Sequence, residues 1–418
     1  MLQNNPFYIL NIPMNAGKSA IVAASEAALL KGSKKPGDES EGAFSVLVNP
    51  DQRLAAELDW FPGLEEEKIS EICRAVRSTL PIDEQGLSGV ALLNAGLYNL
   101  GLMTMQKGGS KKNFIQSVAD AVWKIAELYD NINVAELTDA INVSRQQAGI
   151  TPADLVTVFS AWQDRKSEIS KIIDNALKNC RKDLYIQIFS KIADDLTGEN
   201  ALPMRGIIND AIDWYEINTY AEAGQLAYKI REQRDRIKGC SSWNKIVTGN
   251  ARSWLLKAAR KWRDIAKPML VRADLFGAEY EWGKLVADYA LDASVCINSG
   301  KTFDNHELMS HEMNVSMSYI LGKNRALAEP FKTRVTNWEE HERKRSEALK
   351  QTGCYKICVV IVIIMIVGTL GSFVFGYLTS PDSMKGSILI GMSSGLLGLA
   401  IMILIPYFIA KNKHRKDK

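Results

Sequence analysis

The 418-residue chain is 46% hydrophobic and 24% charged, which is enough apolar material for a sizeable core and two or three domains. Its net charge of +3 excludes a strongly basic nucleic-acid binder, because the excess is local: residues 351–418 hold seven Lys or Arg against Asp382 and Asp417, and residues 1–350 are slightly acidic. The cysteines (Cys73, Cys180, Cys240, Cys296, Cys354 and Cys358) show no CxxC spacing, which argues against a disulfide framework or a zinc site and for a reducing compartment.

The opening MLQNNPFYIL has neither a basic n-region nor a long apolar run, so the first 350 residues are expected to stay in the cytosol. Gly17-Lys18-Ser19 has the ending of a phosphate-binding loop. The glycine that such a loop needs five positions earlier is Ile12, and no later strand brings a magnesium-binding Asp. The stretch reads instead as a loop entering a helix over 16–30, capped by Asn15.

Phe7-Tyr8-Ile9-Leu10, a helix over 21–30, then Ala43-Phe44-Ser45-Val46-Leu47 and Pro50-Asp51-Gln52-Arg53 follow in order. Residues 1–63 thereby resemble a J-domain, the small helical module of co-chaperones. The resemblance implies a three-helix core built on Phe7, Tyr8, Leu10, Phe44 and Leu47, followed by a turn at Pro50 and Arg53. The family carries His-Pro-Asp between its second and third helices, where it contacts a seventy-kilodalton heat-shock chaperone. Here the loop at 31–42 holds Lys35-Pro36-Gly37-Asp38 and no histidine.

Residues 64–325 read as one helix after another. Thr151 is placed as an N-cap, Pro152 at the first helical position and Asp154 closing the capping box, with Leu155, Val156, Phe159 and Trp162 at helical spacing. Helical periodicity continues over 170–196, breaks near 198–200, and returns from Ala251 through Trp262 and Ile265 to a helix end at Pro268. Strand patterns are scarce and no fixed period recurs, so an irregular helical bundle or pseudo-repeat body is expected. Residues 257–298 also resemble a region of uncharacterised bacterial membrane-anchored J-like proteins, which implies a bacterial inner-membrane setting.

His306 and His311 suggest a zinc-protease motif, but five residues turn a helix by about 140°, so the two cannot grip one ion from one face. The Gly-rich stretch at 106–112 reads as a surface connection, and the acidic run at 63–71 as a solvated helix face. No catalytic residue, cofactor or metal is expected.

Residues 326–356 read as a polar juxtamembrane helix with a basic end. Residues 357–378 and 388–409 are uncharged runs of 22 residues each, roughly 33 Å as helices against a hydrocarbon core of about 30 Å. The short turn at 379–387 makes them a transmembrane hairpin, and the basic flanks, including the tail at 410–418, place both termini in the cytoplasm. Gly368, Ser372 and Gly376 in the first run, and Gly391, Gly395 and Gly398 in the second, have the spacing that lets helices pack closely, within one hairpin or between copies. The whole reads as an all-α protein, tethered by two spans and non-enzymatic. Its expected role is that of an interaction or adaptor protein, with the bilayer, an unidentified protein and further copies of itself as partners and no nucleic acid. The alternatives are a degenerate J-domain co-chaperone and an oligomerising effector that alters membrane permeability.

Overall fold

The computed structural model describes residues 2–30, 39–105, 111–197, 200–240, 245–299 and 305–351, with the side chains of 349–351 excepted. Among the described residues there are fifteen α-helices and no strand. They are α1 (Pro6–Leu10), α2 (Lys18–Leu30), α3 (Glu39–Val48), α4 (Pro50–Leu58), α5 (Glu66–Arg77), α6 (Gly89–Met105), α7 (Lys111–Asp130) and α8 (Val134–Gln147). There follow α9 (Leu155–Lys178), α10 (Lys182–Asp195), α11 (Gly206–Lys238), α12 (Lys245–Phe276), α13 (Glu281–Ser299), α14 (His306–Ile320) and α15 (Arg325–Gln351). Two compact units divide the chain, residues 1–332 and residues 333–418.

The all-helical half of the expected fold stands, and the membrane half is corrected. Among the described residues no helix is long and apolar enough to cross a membrane. The physical reason is plain in the longest ones: α11 and α12 run 33 and 32 residues, but charged side chains punctuate both along their outer faces. The expected hairpin at 357–409, its small residues Gly368, Ser372, Gly376, Gly391, Gly395 and Gly398, and the basic tail lie outside the described residues. The two-span inner-membrane assignment, and the permeability effector that depends on it, are therefore not carried further.

In the first unit α1, α4, α8 and α9 start where the sequence supplies a side-chain cap. Asn5 accepts from the Phe7 amide ahead of Pro6, and Asn49 accepts from the amides of Asp51 and Gln52 ahead of Pro50. α1 packs across α3, α2 lies along α3, and α4 reaches α9. α6 and α7 pair and meet α9, which in turn lies against α11. α11 and α12 form the longest pairing, flanked by α13, with α10 on α12 and α14 on both α12 and α13. One continuous core runs through these layers, from Phe7, Trp60 and Phe61 through Trp162, Phe189, Tyr215 and Trp262 to Phe331.

Three local expectations change. α9 begins at Leu155 with Asp154 as its N-cap, so Thr151 and Pro152 precede the helix. The Asn142 side chain exchanges two hydrogen bonds with the Ala153 backbone, at 2.8 and 2.9 Å, and holds 151–153 extended. Asn15 does not cap α2, because the helix starts at Lys18 and leaves Gly17 at the cap position; the Asn15 side-chain amide donates to Gln147 Oε1 at 3.1 Å. Pro268 does not end its helix, since α12 continues to Phe276. The Asp264 carbonyl, which loses its i+4 amide to the proline, accepts instead from the Ser190 hydroxyl at 3.3 Å.

The described part of the second unit, residues 333–351, is the polar C-terminal stretch of α15. Its i,i+4 and i,i+3 pairs, Glu340–Lys344 at 2.7 Å and Glu342–Arg345 at 3.1 Å, support a solvated helix.

Candidate functional site

The buried charges tie helices together. Glu57 is fully buried and accepts from Arg53 Nε at 2.9 Å and Arg145 Nε at 2.8 Å. Arg53 Nη2 also donates to the Met14 carbonyl at 2.6 Å, and Arg145 Nη2 to that of Pro50 at 3.1 Å. Burial pushes the Glu57 carboxyl up, while the two guanidiniums pull it back. Arg165 Nη2 bridges Asp59 at 2.6 Å and Asn94 at 2.7 Å. Asp174 accepts from Tyr185 Oη at 2.7 Å, Asn218 Nδ2 at 3.1 Å and Lys178 Nζ at 2.6 Å. Burial first, and that carboxylate second, push the Tyr185 hydroxyl well above its usual range. A carboxylate held between donors and shut from solvent is not presented to a substrate.

The residues singled out by the J-domain resemblance separate by depth. Phe7, Leu10, Leu47 and Arg53 are buried, Tyr8 and Phe44 half-buried, and Pro50 exposed. The Arg53 guanidinium also lies 5.3 Å from the centre of the Phe7 ring. Of the loop at 31–42, residues 31–38 lie outside the described residues, and 39–42 open α3.

Arg53 also explains Gly17-Lys18-Ser19. The turn before α2 aims the carbonyl of Met14 at the Arg53 guanidinium, with that of Ala16 on it at 3.4 Å. A phosphate-binding loop must instead turn backbone N–H groups inward. Gly17 is required by close approach: a Cβ there would stand 2.9 Å from the backbone oxygen of Ala148. Lys18 is exposed at the start of α2.

His306 opens α14 and His311 lies five residues further along it. Among the described residues no group of three or more His, Cys, Asp or Glu side chains is placed to hold a metal ion. The cysteines Cys73, Cys180, Cys240 and Cys296 are free thiols, and burial pushes those of Cys73, Cys180 and Cys296 up.

The outward feature with the most chemistry is an open groove of about 570 Å³ between α12 and α14. Helical spacing sets Arg252, Leu256 and Arg260 along the α12 wall, and Glu312 and Val315 along the α14 wall. Arg252 Nη1 donates to Glu312 Oε2 at 2.6 Å across the mouth. Leu256 is buried and Val315 is exposed, so the groove has an aliphatic floor between charged rims. Trp254, 58% exposed, lies outside the groove, about 160° around α12 from Leu256, and Tyr319, 76% exposed, lies one turn beyond Val315 on α14. Each ring carries a cation: Lys257 Nζ lies 4.9 Å from the Trp254 ring centre, and the Arg263 guanidinium 5.3 Å from that of Tyr319. Among the described residues Lys257, Arg260 and Lys261 have no carboxylate partner.

Of the residues that line the groove, His311 stood out in the sequence, as half of a zinc-protease pattern, and the others did not. The signal available was the density of cations in Lys257-Ala258-Ala259-Arg260-Lys261-Trp262-Arg263, and it gains meaning only once α14 supplies the second wall. Comparison of the chain with protein-family models, curated proteins and solved structures found no match.

Proposed function

We propose that the chain is a non-enzymatic helical interaction protein, an adaptor that binds a partner protein on the face formed by α12 and α14. The observation that carries this reading is the cation-capped Tyr319, standing exposed one turn beyond an open groove, with a second cation-capped aromatic, Trp254, exposed on another side of α12. Large amphipathic rings beside an aliphatic floor are the side chains on which protein interfaces concentrate their binding energy. The inward-facing carboxylates, each consumed in tying helices, support a binding role over a catalytic one.

The test is to isolate proteins cross-linked to the full-length chain under native conditions, purify each, and titrate it against the wild-type chain and against Trp254→Ser and Tyr319→Ser. Saturable stoichiometric binding that both variants weaken is the expected result. Equal binding by all three chains, or no saturable partner, overturns the reading.

A second reading, a J-like module acting on a chaperone, draws support from the mutual packing of α1, α2 and α3. Stimulation of the ATPase of a seventy-kilodalton heat-shock chaperone by the full chain would favour it, and a flat ATPase rate would remove it.

A further inference from the structure

The α12–α14 groove has a charge pattern that specifies its occupant, granted that this face binds a protein. α12 carries eight Lys or Arg against Asp264 and Asp274 alone. Several of these cations are already used: Arg252 by Glu312, Arg263 by Asp264, and Lys267 by Asp194. The remainder that faces outward, Lys257, Arg260 and Lys261, forms no ion pair among the described residues, Asp264 at i+4 from Arg260 being taken by Arg263, and Arg260 lines the groove itself. Two or three uncompensated cations on one helical face hold a positive potential that is relieved by an incoming anion. Glu312 sits opposite on the α14 wall and already engages Arg252, so the groove contains its own small copy of the contact it is built to make.

Between these rims Leu256 and Val315 present an apolar strip that a bare phosphate or a nucleic-acid backbone would leave uncovered. An occupant that uses the whole groove must carry carboxylates and an aliphatic side chain on one short segment. We propose that the groove binds an acidic peptide segment of a partner protein, with carboxylates on Arg260 and its neighbouring lysines and an aliphatic residue seated over Leu256 and Val315. Arg252 acts as a reserve donor, released to the peptide when the incoming carboxylate displaces Glu312.

Charge reversal at the two walls distinguishes this from general stickiness. The probe is a fluorescently labelled set of Asp/Glu-rich peptides, each with a single Leu, titrated against the purified full-length chain. Charge-reversed Lys-rich peptides, a duplex DNA and vesicles of anionic phospholipid serve as competing ligands. Saturable binding of the acidic Leu-containing peptides is expected, about tenfold weaker with Arg260→Glu and partly restored with Arg260→Lys. Glu312→Gln is expected to strengthen binding, because it frees Arg252, a gain that damage to the fold would not produce. Equal affinity for peptides with and without Leu, equal or tighter binding to DNA or to vesicles, or indifference to both substitutions overturns the proposal. A partner that still binds through Trp254 and Tyr319 while Arg260→Glu changes nothing would leave the adaptor reading intact and remove only this occupant. Loss of all saturable partners would remove the adaptor reading first.

Discussion

Gly17 and Ser190 show how single atoms settle what a stretch of sequence is for. The Gly17 position faces the backbone oxygen of Ala148 at a distance no ordinary side chain tolerates. Gly17→Ala is therefore expected to cost about 1–3 kcal/mol, as overpacking against an atom that cannot rotate away does, and chemical denaturation of the full chain would measure it. Ser190 holds the carbonyl that Pro268 leaves unpaired. Because Asp264 is exposed and water can replace the hydroxyl, Ser190→Ala should cost only about 0.5–1 kcal/mol, with Ser190→Thr close to wild type. Asp292 gives a pH-dependent prediction. Hydrogen bonds from Lys238 and then Arg234 hold its carboxyl below the ordinary 3.8. A carboxyl whose folded value lies below its unfolded one adds stability above the unfolded value and loses it as pH falls through the folded one. Unfolding midpoints measured down into that acid range should fall less steeply for Asp292→Asn than for wild type, and parallel curves would refute the assignment.

The element scale is governed by Glu57, which sits on α4 between Arg53 of its own helix and Arg145 of α8. Glu57→Gln would leave two guanidiniums buried without a counter-charge, and the expected loss is about 3–5 kcal/mol. A loss below about 1 kcal/mol, measured by chemical denaturation, would show that solvent reaches the cluster. The Arg53–Glu57 half of this arrangement has the i,i+4 spacing that a reader of the sequence can see, but Arg145 lies 88 residues away from Glu57 and no local pattern connects them. The same limit explains α9. Its helical character was legible at Leu155, Phe159 and Trp162, but Leu155 and Phe159 are exposed and the core face runs through Val158, Trp162, Ile169 and Ile173, while its true start follows a segment that Asn142, eleven residues before Ala153, holds in place. Pro268 is a fair stop signal in isolation, and nothing local to it announces that the Ser190 hydroxyl from another helix takes up the carbonyl it leaves unpaired. Helical content was therefore readable from periodicity, whereas the caps expected at Asn15 and Thr151 do not stand where α2 and α9 begin. The groove was not readable, because it needs two walls from helices that the sequence does not announce as neighbours.

At the scale of the molecule, stability should be uneven. α11 places Ile207, Ile212, Tyr215, Ala223, Ala227 and Ile230 in the core along most of its length, with α9, α12 and α13 packed around it. α2, by contrast, buries only Ile21 and Ser25 of its thirteen residues. Native-state hydrogen exchange should find the slowest amides in the middle of α11 and early opening in α2, and the reverse order would contradict the packing described here. The Arg53–Glu57–Arg145 cluster also sets a timetable for synthesis. When the first sixty residues leave the ribosome, Glu57 has one of its two cations, and the second arrives only after 88 further residues have been translated, about 4 to 18 s later at about 5–20 residues per second. Throughout that interval the amino-terminal helices hold a half-neutralised carboxylate, so they wait unfinished on the nascent chain until α8 arrives to lock them.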